Sequence, residues 1–344
     1  MRWLPLSKRF TPCLLAGLAV LVLARASAAA KPEKIVFDTA DKVQLVGTFY
    51  GSDRGKKATC VLLLHNIGSN RQGVDALARY LWEEKKLAVL TFDFRGHGDS
   101  TTVQQDFWRV RGNLQLKGAN PNKTEIGFKD FPPSYYPMLV NDIVAAKREL
   151  DKRNDGQECN SSDLIVIGAQ DGAAVGALWL CTEWVRRKPG RNQFGAIVPG
   201  IGDPEGHDIG ACVWLSMSSN AGRLSMPVAN WIGGLRDKET APMCFLYGAD
   251  DSRAAALAKQ LYNNVHRKDK KNLTFERALK GTKLAGEQLL GKKTLGTEEL
   301  IGKYLDKVLD ARAGKAWEDR DTKRQQFVLV PNQVMRRYGY SNLP

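Results

Sequence analysis

Ile165-Val166-Ile167-Gly168-Ala169-Gln170-Asp171-Gly172-Ala173-Ala174 decides how the rest of the chain is read. Three β-branched residues enter a turn of small residues. An apolar pattern at helical spacing leaves it through Val175, Leu178, Trp179 and Cys181. The order is strand, tight turn, helix. Small residues are needed because the turn is sharp and strand and helix pass close together. Gln170 stands at the centre of the turn. A carboxamide is neither a useful nucleophile nor a group that a base can activate.

Outward from this stretch the chain alternates apolar runs with helical patterns. Cys60 to Leu64 is a continuous apolar run, as expected of a strand buried on both faces. It ends in His65-Asn66-Ile67-Gly68-Ser69-Asn70-Arg71, and Val74, Leu77, Ala78 and Leu81 then recur at helical spacing. The next strand, Leu87 to Phe92, ends in Asp93-Phe94-Arg95-Gly96-His97-Gly98-Asp99-Ser100. Lys34 to Thr39 and Val43 to Tyr50 alternate apolar and polar about a short turn, which predicts an opening hairpin. Beyond the central stretch, strands are expected at Ala211 to Ser216, Pro242 to Tyr247 and Leu273 to Ala278. Helices are expected from about Arg253 to Val265 and from Thr297 onward. This alternation predicts an α/β domain, a mostly parallel central sheet flanked by helices on both faces.

Three segments in register carry a resemblance. Leu62-Leu63-Leu64-His65-Asn66-Ile67-Gly68-Ser69-Asn70-Arg71, then Phe92 to Ser100, then Ile167 to Gly172 together resemble the α/β-hydrolase fold, over about residues 34–312. The relatives implied are serine hydrolases such as carboxylesterases, dienelactone hydrolases and serine aminopeptidase-like lipases. In that family a G-x-S-x-G turn lifts a serine above the sheet, and acid and histidine follow it in the chain. Aligned on Gly168 and Gly172, the nucleophile position falls on Gln170. The acid position, three residues after Gly248, is Asp251, whose other role would be to cap the helix near Arg253. The base position, in Lys280-Gly281-Thr282-Lys283-Leu284-Ala285-Gly286-Glu287, falls on Leu284, and no histidine follows His266.

The triad is therefore degenerate at two separate points. A frame shifted by one puts Asp171 at the nucleophile position, as in the dehalogenases and epoxide hydrolases of this fold, but its ester intermediate would still need a base. The oxyanion donors are backbone amides, those of Ile67 and Asp171 beside Asn66, and no side-chain change deletes them. His65 and His97 belong to scaffold turns, leaving His207, in a Gly-rich loop, as a further imidazole to test against the cleft.

Residues 101–136 form a long insertion after the fourth strand, with Phe107, Trp108, Phe128, Phe131, Pro132 and Pro133. Such a segment is either a lid or partner-binding surface, or an aromatic flap packed on the body. Residues 1–30 read as an export signal: Arg2, Lys8 and Arg9 precede the apolar run Cys13 to Ala24, and small-residue cleavage sites follow. They hold four cations and no acid, so cleavage would lower the formal charge from +14 to +10. The domain is expected over 31–312, with a charged C-terminal extension over 313–344 whose one apolar segment is Phe327 to Pro331.

Other classes find no support in the sequence. No P-loop, dinucleotide fingerprint or H-E-x-x-H occurs, and no His/Cys spacing suits zinc. No metal or cofactor is expected, and no specific nucleic acid or integral membrane segment after signal cleavage. Of the five cysteines beyond the leader, Cys159 lies in a polar stretch and is the one placed to pair. The reading is an exported protein, periplasmic or secreted, with a hydrolase fold and no serine-type catalysis. It would bind a small carbonyl or carboxylate ligand, or a protein partner through 101–136. The alternatives are a hydrolase with a rearranged site using Asp171, and a basic envelope-associated protein binding anionic polymer.

Overall fold

The structure is a computed structural model that describes residues 31–118, 122–198, 200–235, 241–269, 271–312, 315–320 and 322. The expected leader and the apolar segment 327–331 lie outside the described residues. Eight strands form one sheet: β1 (Glu33–Asp38), β2 (Gln44–Tyr50), β3 (Thr59–Leu64), β4 (Ala88–Phe92), β5 (Asn160–Ala169), β6 (Ile209–Leu215), β7 (Met243–Gly248) and β8 (Phe275–Leu279). Their order is β1-β2-β4-β3-β5-β6-β7-β8. β2 runs antiparallel to both its neighbours, and the strands from β4 to β8 are mutually parallel.

Side-chain alternation along the strands sends apolar groups to both faces. On one face Val61, Leu63, Ile165, Ile167 and Leu246 pack against α1 (Asp75–Glu83) and α6 (Thr297–Ala311). On the other, Cys60, Leu62, Leu64, Val166 and Trp214 meet α2 (Val140–Asp155), α3 (Gln170–Val185), α4 (Val228–Gly234) and α5 (Ser252–Val265). Helix α3 has an unbroken buried run from Gly172 to Trp184, because it is covered by its helical neighbours as well as by the sheet.

The described residues between β4 and α2 pack on the body as an aromatic flap. Phe107, Phe131 and Tyr135 are fully buried, and Trp108 nearly so. Arg95 anchors it: its fully buried guanidinium reaches Asp41 Oδ2 and Asp142 Oδ1, each at 2.7 Å, and the Tyr135 hydroxyl at 3.0 Å. Asn113 Nδ2 donates to the same Asp41. Two carboxylates share one cation, so burial outweighs the attraction of Arg95 at Asp142 and pushes its carboxyl up to about 6.

All five described cysteines are free and buried. Cys159 lies in the core with its thiol aimed at the Leu150 carbonyl, and not in a solvated loop, because α2 covers the strand entry. Residues 315–320 form a strap across the sheet edge where β5 begins. The Trp317 indole donates to Asn154 O, Glu318 N to Ser162 Oγ, and Arg320 pairs with buried Asp208 at 2.7 Å.

Candidate functional site

The turn at the end of β5 keeps the geometry of an elbow. Gln170 has φ +44°, a left-handed conformation that costs a non-glycine residue about 1–2 kcal/mol. Close approach fixes the two glycines. A Cβ on Gly168 would lie 2.7 Å from Ala173 Cα, and one on Gly172 would lie 2.0 Å from His65 O. The small-residue spacing thus lets α3 press against both the strand it leaves and the loop after β3.

Around this elbow the hydrogen bonds close inward. Asp171 N–H donates to Asn66 Oδ1 at 3.1 Å, so the expected oxyanion donor already has an acceptor from the protein. Ile67 N–H has no acceptor among the described residues. The expected converging pair is reduced to one open donor. Asp171's own carboxylate turns away from the apex, accepting from Gly222 N at 2.8 Å with the Ser218 hydroxyl beside it. Burial raises its carboxyl above the usual range, with these two donors opposing.

Two residues not identified from the sequence complete the cluster. Glu287, in the loop after β8, accepts from Asn66 N at 2.6 Å and from the Ser69 hydroxyl at 2.5 Å. Its carboxyl is raised by burial, in spite of both donors. Next to it Gly286, at φ +57°, lies against the Gln170 side chain, where a Cβ would come 2.7 Å from Gln170 Cγ. The loop that should carry the base instead lays backbone on Gln170 and a carboxylate on the β3 loop. The signal in the sequence is Gly286-Glu287, at the end of the stretch where the family's histidine is expected.

The other expected positions are also engaged. Asp251 caps α5, accepting from Arg253 N at 3.2 Å and Ala254 N at 3.1 Å. Leu284 is half-buried, with its carbonyl against Gly248 at the end of β7. His65 lies under the elbow, but its Nε2 accepts from Phe94 N and its Nδ1 donates to Asn66 O. Burial and then His97 push it down to about 3, so it stays neutral with both nitrogens in use. His207 sits before β6 against the Trp184 ring, at the opposite sheet edge. Seven strand residues separate it from the elbow's edge, about 20 Å. It does not reach the cleft.

One strand from the elbow, Ser216 also has a left-handed backbone, φ +46°, and its buried hydroxyl has no partner among the described residues. It follows Leu215, which pairs with Ala169, so the two strained residues are neighbours at the sheet edge. The flap comes near as well: Tyr136 lies over Gly222, and Arg223 donates to Phe131 O. An open groove of about 530 Å³ within the flap is lined by Thr101, Lys123, Glu125, Ile126 and Asp130 among others. Among the described residues no cluster of three or more His, Cys, Asp or Glu is set to hold a metal ion. No described helix is long and apolar enough to cross a membrane.

No protein-family model and no curated protein matches the chain. Among solved structures it is similar to an esterase from Pyrococcus furiosus, with a TM-score of 0.52 and 16% identity over 80% of this chain and 90% of that one. A dienelactone hydrolase from Anabaena variabilis superposes with a TM-score of 0.48 and 14% identity, over 84% of this chain and 100% of that one. Identity this low speaks to architecture. With the strand order and the elbow, the likeness to the esterase gives the chain the α/β-hydrolase fold.

Proposed function

We propose that this α/β-hydrolase-fold chain is an exported protein that does not hydrolyse acyl bonds and acts by binding. One observation carries the reading: the Asp171 amide donates to Asn66 Oδ1 beneath an elbow whose apex is Gln170. Acyl transfer needs a nucleophile, a base and open oxyanion donors together. This site offers a carboxamide, a leucine in the base position and one unoccupied amide. The aspartate alternative is weakened because the Asp171 carboxylate is held by Gly222 N and faces away from the apex.

The cluster favours a different ligand from the carboxylate expected from the sequence. The partly buried carboxylate of Glu287 stands beside the elbow and would repel an anion, while that of Asp171 is held by Gly222 N away from the apex. Gln170 and Ser69 suit a neutral ligand rich in hydrogen-bonding groups, or a polar protein surface reaching in beside the flap. Export rests on the leader sequence.

The test is turnover of p-nitrophenyl acetate and butyrate, and labelling by a fluorophosphonate, for wild type, Gln170→Ala and Asp171→Asn. The expected result is no rate above buffer and no label in any of the three. Turnover in the wild type that either substitution abolishes would sink the proposal.

A further inference from the structure

The chain between α3 and β6 leaves the body as a narrow hairpin. Lys188 N donates to Asp203 O, Gly202 N to Lys188 O and Glu205 N to Arg186 O. Further out, Gly190–Arg191 pairs with Ile197–Val198. The base is pinned: Lys188 Nζ reaches buried Asp208 at 2.7 Å and Glu318 of the strap at 3.7 Å. The tip is pre-shaped as well. Asn192 Oδ1 accepts from both Phe194 N and Ala196 N, and Arg191 donates to Gly195 O.

This ordered tip presents Phe194 at 83% exposure, the highest of any large apolar side chain among the described residues. Ile201 on the returning strand is 48% exposed. From Arg186 to Glu205 the sequence has four cations and two acids, Asp203 and Glu205, both acids at the base and none nearer the tip. Arg187 and Arg191 form no ion pair among the described residues. An apolar tip with cations behind it on a hydrogen-bonded stem fits a particular kind of surface. A stable protein interface needs an apolar centre within about 800 Å² from each partner, and the described large apolar side chains exposed here are only Phe194 and Ile201. A lipid surface asks for no matching shape: one aromatic enters the headgroup layer while cations meet phosphates.

We propose that the hairpin 186–205 docks the protein on an anionic lipid bilayer surface, with Phe194 in the headgroup layer and Arg187 and Arg191 on lipid phosphates. The hairpin lies at the sheet edge opposite the elbow, so docking leaves the candidate site facing away from the bilayer. The claim is independent of whether that site is catalytic.

The test uses the full chain and trypsin cleavage after Arg191, read by mass spectrometry. This readout reports on the hairpin even when the N-terminal apolar run itself holds the chain on vesicles. Phosphatidylglycerol-containing vesicles should slow this cleavage at least tenfold, while pure phosphatidylcholine vesicles leave it within twofold. Cleavage after Lys283, exposed at the opposite edge, should not change. Phe194→Ala should bring cleavage after Arg191 back to within twofold of the vesicle-free rate, and 0.5 M salt should weaken the protection. Equal protection by the neutral lipid, full protection of Phe194→Ala, or no protection by either vesicle would overturn the proposal. So would protection that rises with protein concentration in the absence of lipid, which would assign the tip to a second copy of the chain.

Discussion

Ser216→Ala and Ser216→Gly separate two costs carried one strand from the elbow. The residue has φ +46°, and its hydroxyl is buried without a partner among the described residues. A left-handed backbone costs a non-glycine residue about 1–2 kcal/mol. A buried hydroxyl with no hydrogen bond costs about 1–3 kcal/mol. Alanine removes only the second cost, so that variant should gain about 1–3 kcal/mol. Glycine removes both and gives back about 0.5–1 kcal/mol as extra freedom of the unfolded chain, a net gain of roughly 1–4 kcal/mol. The assay is urea unfolding of the full chain, comparing midpoints at unchanged slope. A loss of stability in Ser216→Ala would mean that the hydroxyl has a partner and that the first half of the argument is wrong. A glycine variant no better than alanine would remove the second half, the backbone strain.

Two more perturbations follow from buried charge. Arg95→Met strands the carboxylates of Asp41 and Asp142, and should cost about 3–5 kcal/mol at pH 7.5. The loss should be smaller at pH 5, where stranded carboxyls take up protons; a pH-independent loss in urea melts would contradict the ion network. Glu287→Gln keeps an acceptor for Asn66 N–H and offers a donor to Ser69, while removing a carboxylate whose folded-state value lies above the ordinary 4.5. A raised acid contributes stability that is complete below its unfolded value and is lost as pH rises through the folded one. The variant should therefore be more stable than wild type at pH 8, with the difference closing toward pH 4. A variant less stable than wild type at pH 8 would show that the two hydrogen bonds outweigh desolvation.

The architecture was legible because its signals are local. Cys60 to Leu64 and Ile165 to Ile167 are apolar on both faces, and the structure divides them alternately between two helical layers. Gly168 and Gly172 mark a turn that only small residues permit, and the distances at both bear this out. The hydrogen bonds of the site were not legible, since they join residues far apart in the chain. Asn66 was singled out for its backbone neighbourhood, yet its side chain closes the Asp171 amide. Glu287 lies 221 residues from Asn66, and nothing in its own stretch says where its carboxylate goes. The flap is similar: its aromatics announced a packed surface or a lid equally well. The fully buried Arg95 that ties it down sits in a turn read only as scaffold.

The Asn66 hydrogen bond has a consequence for redesign. A serine at position 170 would place a hydroxyl there with no imidazole beside it and no second amide to receive negative charge. A histidine at 284 would give a base with nothing to deprotonate, and clearing Asn66 Oδ1 would open an empty hole. Each single step changes the protein without yielding a reaction on which selection could act. On the proposed reading, no single substitution would make this site hydrolytic: a serine at 170, a histidine at 284 and a change that clears Asn66 Oδ1 would be needed together.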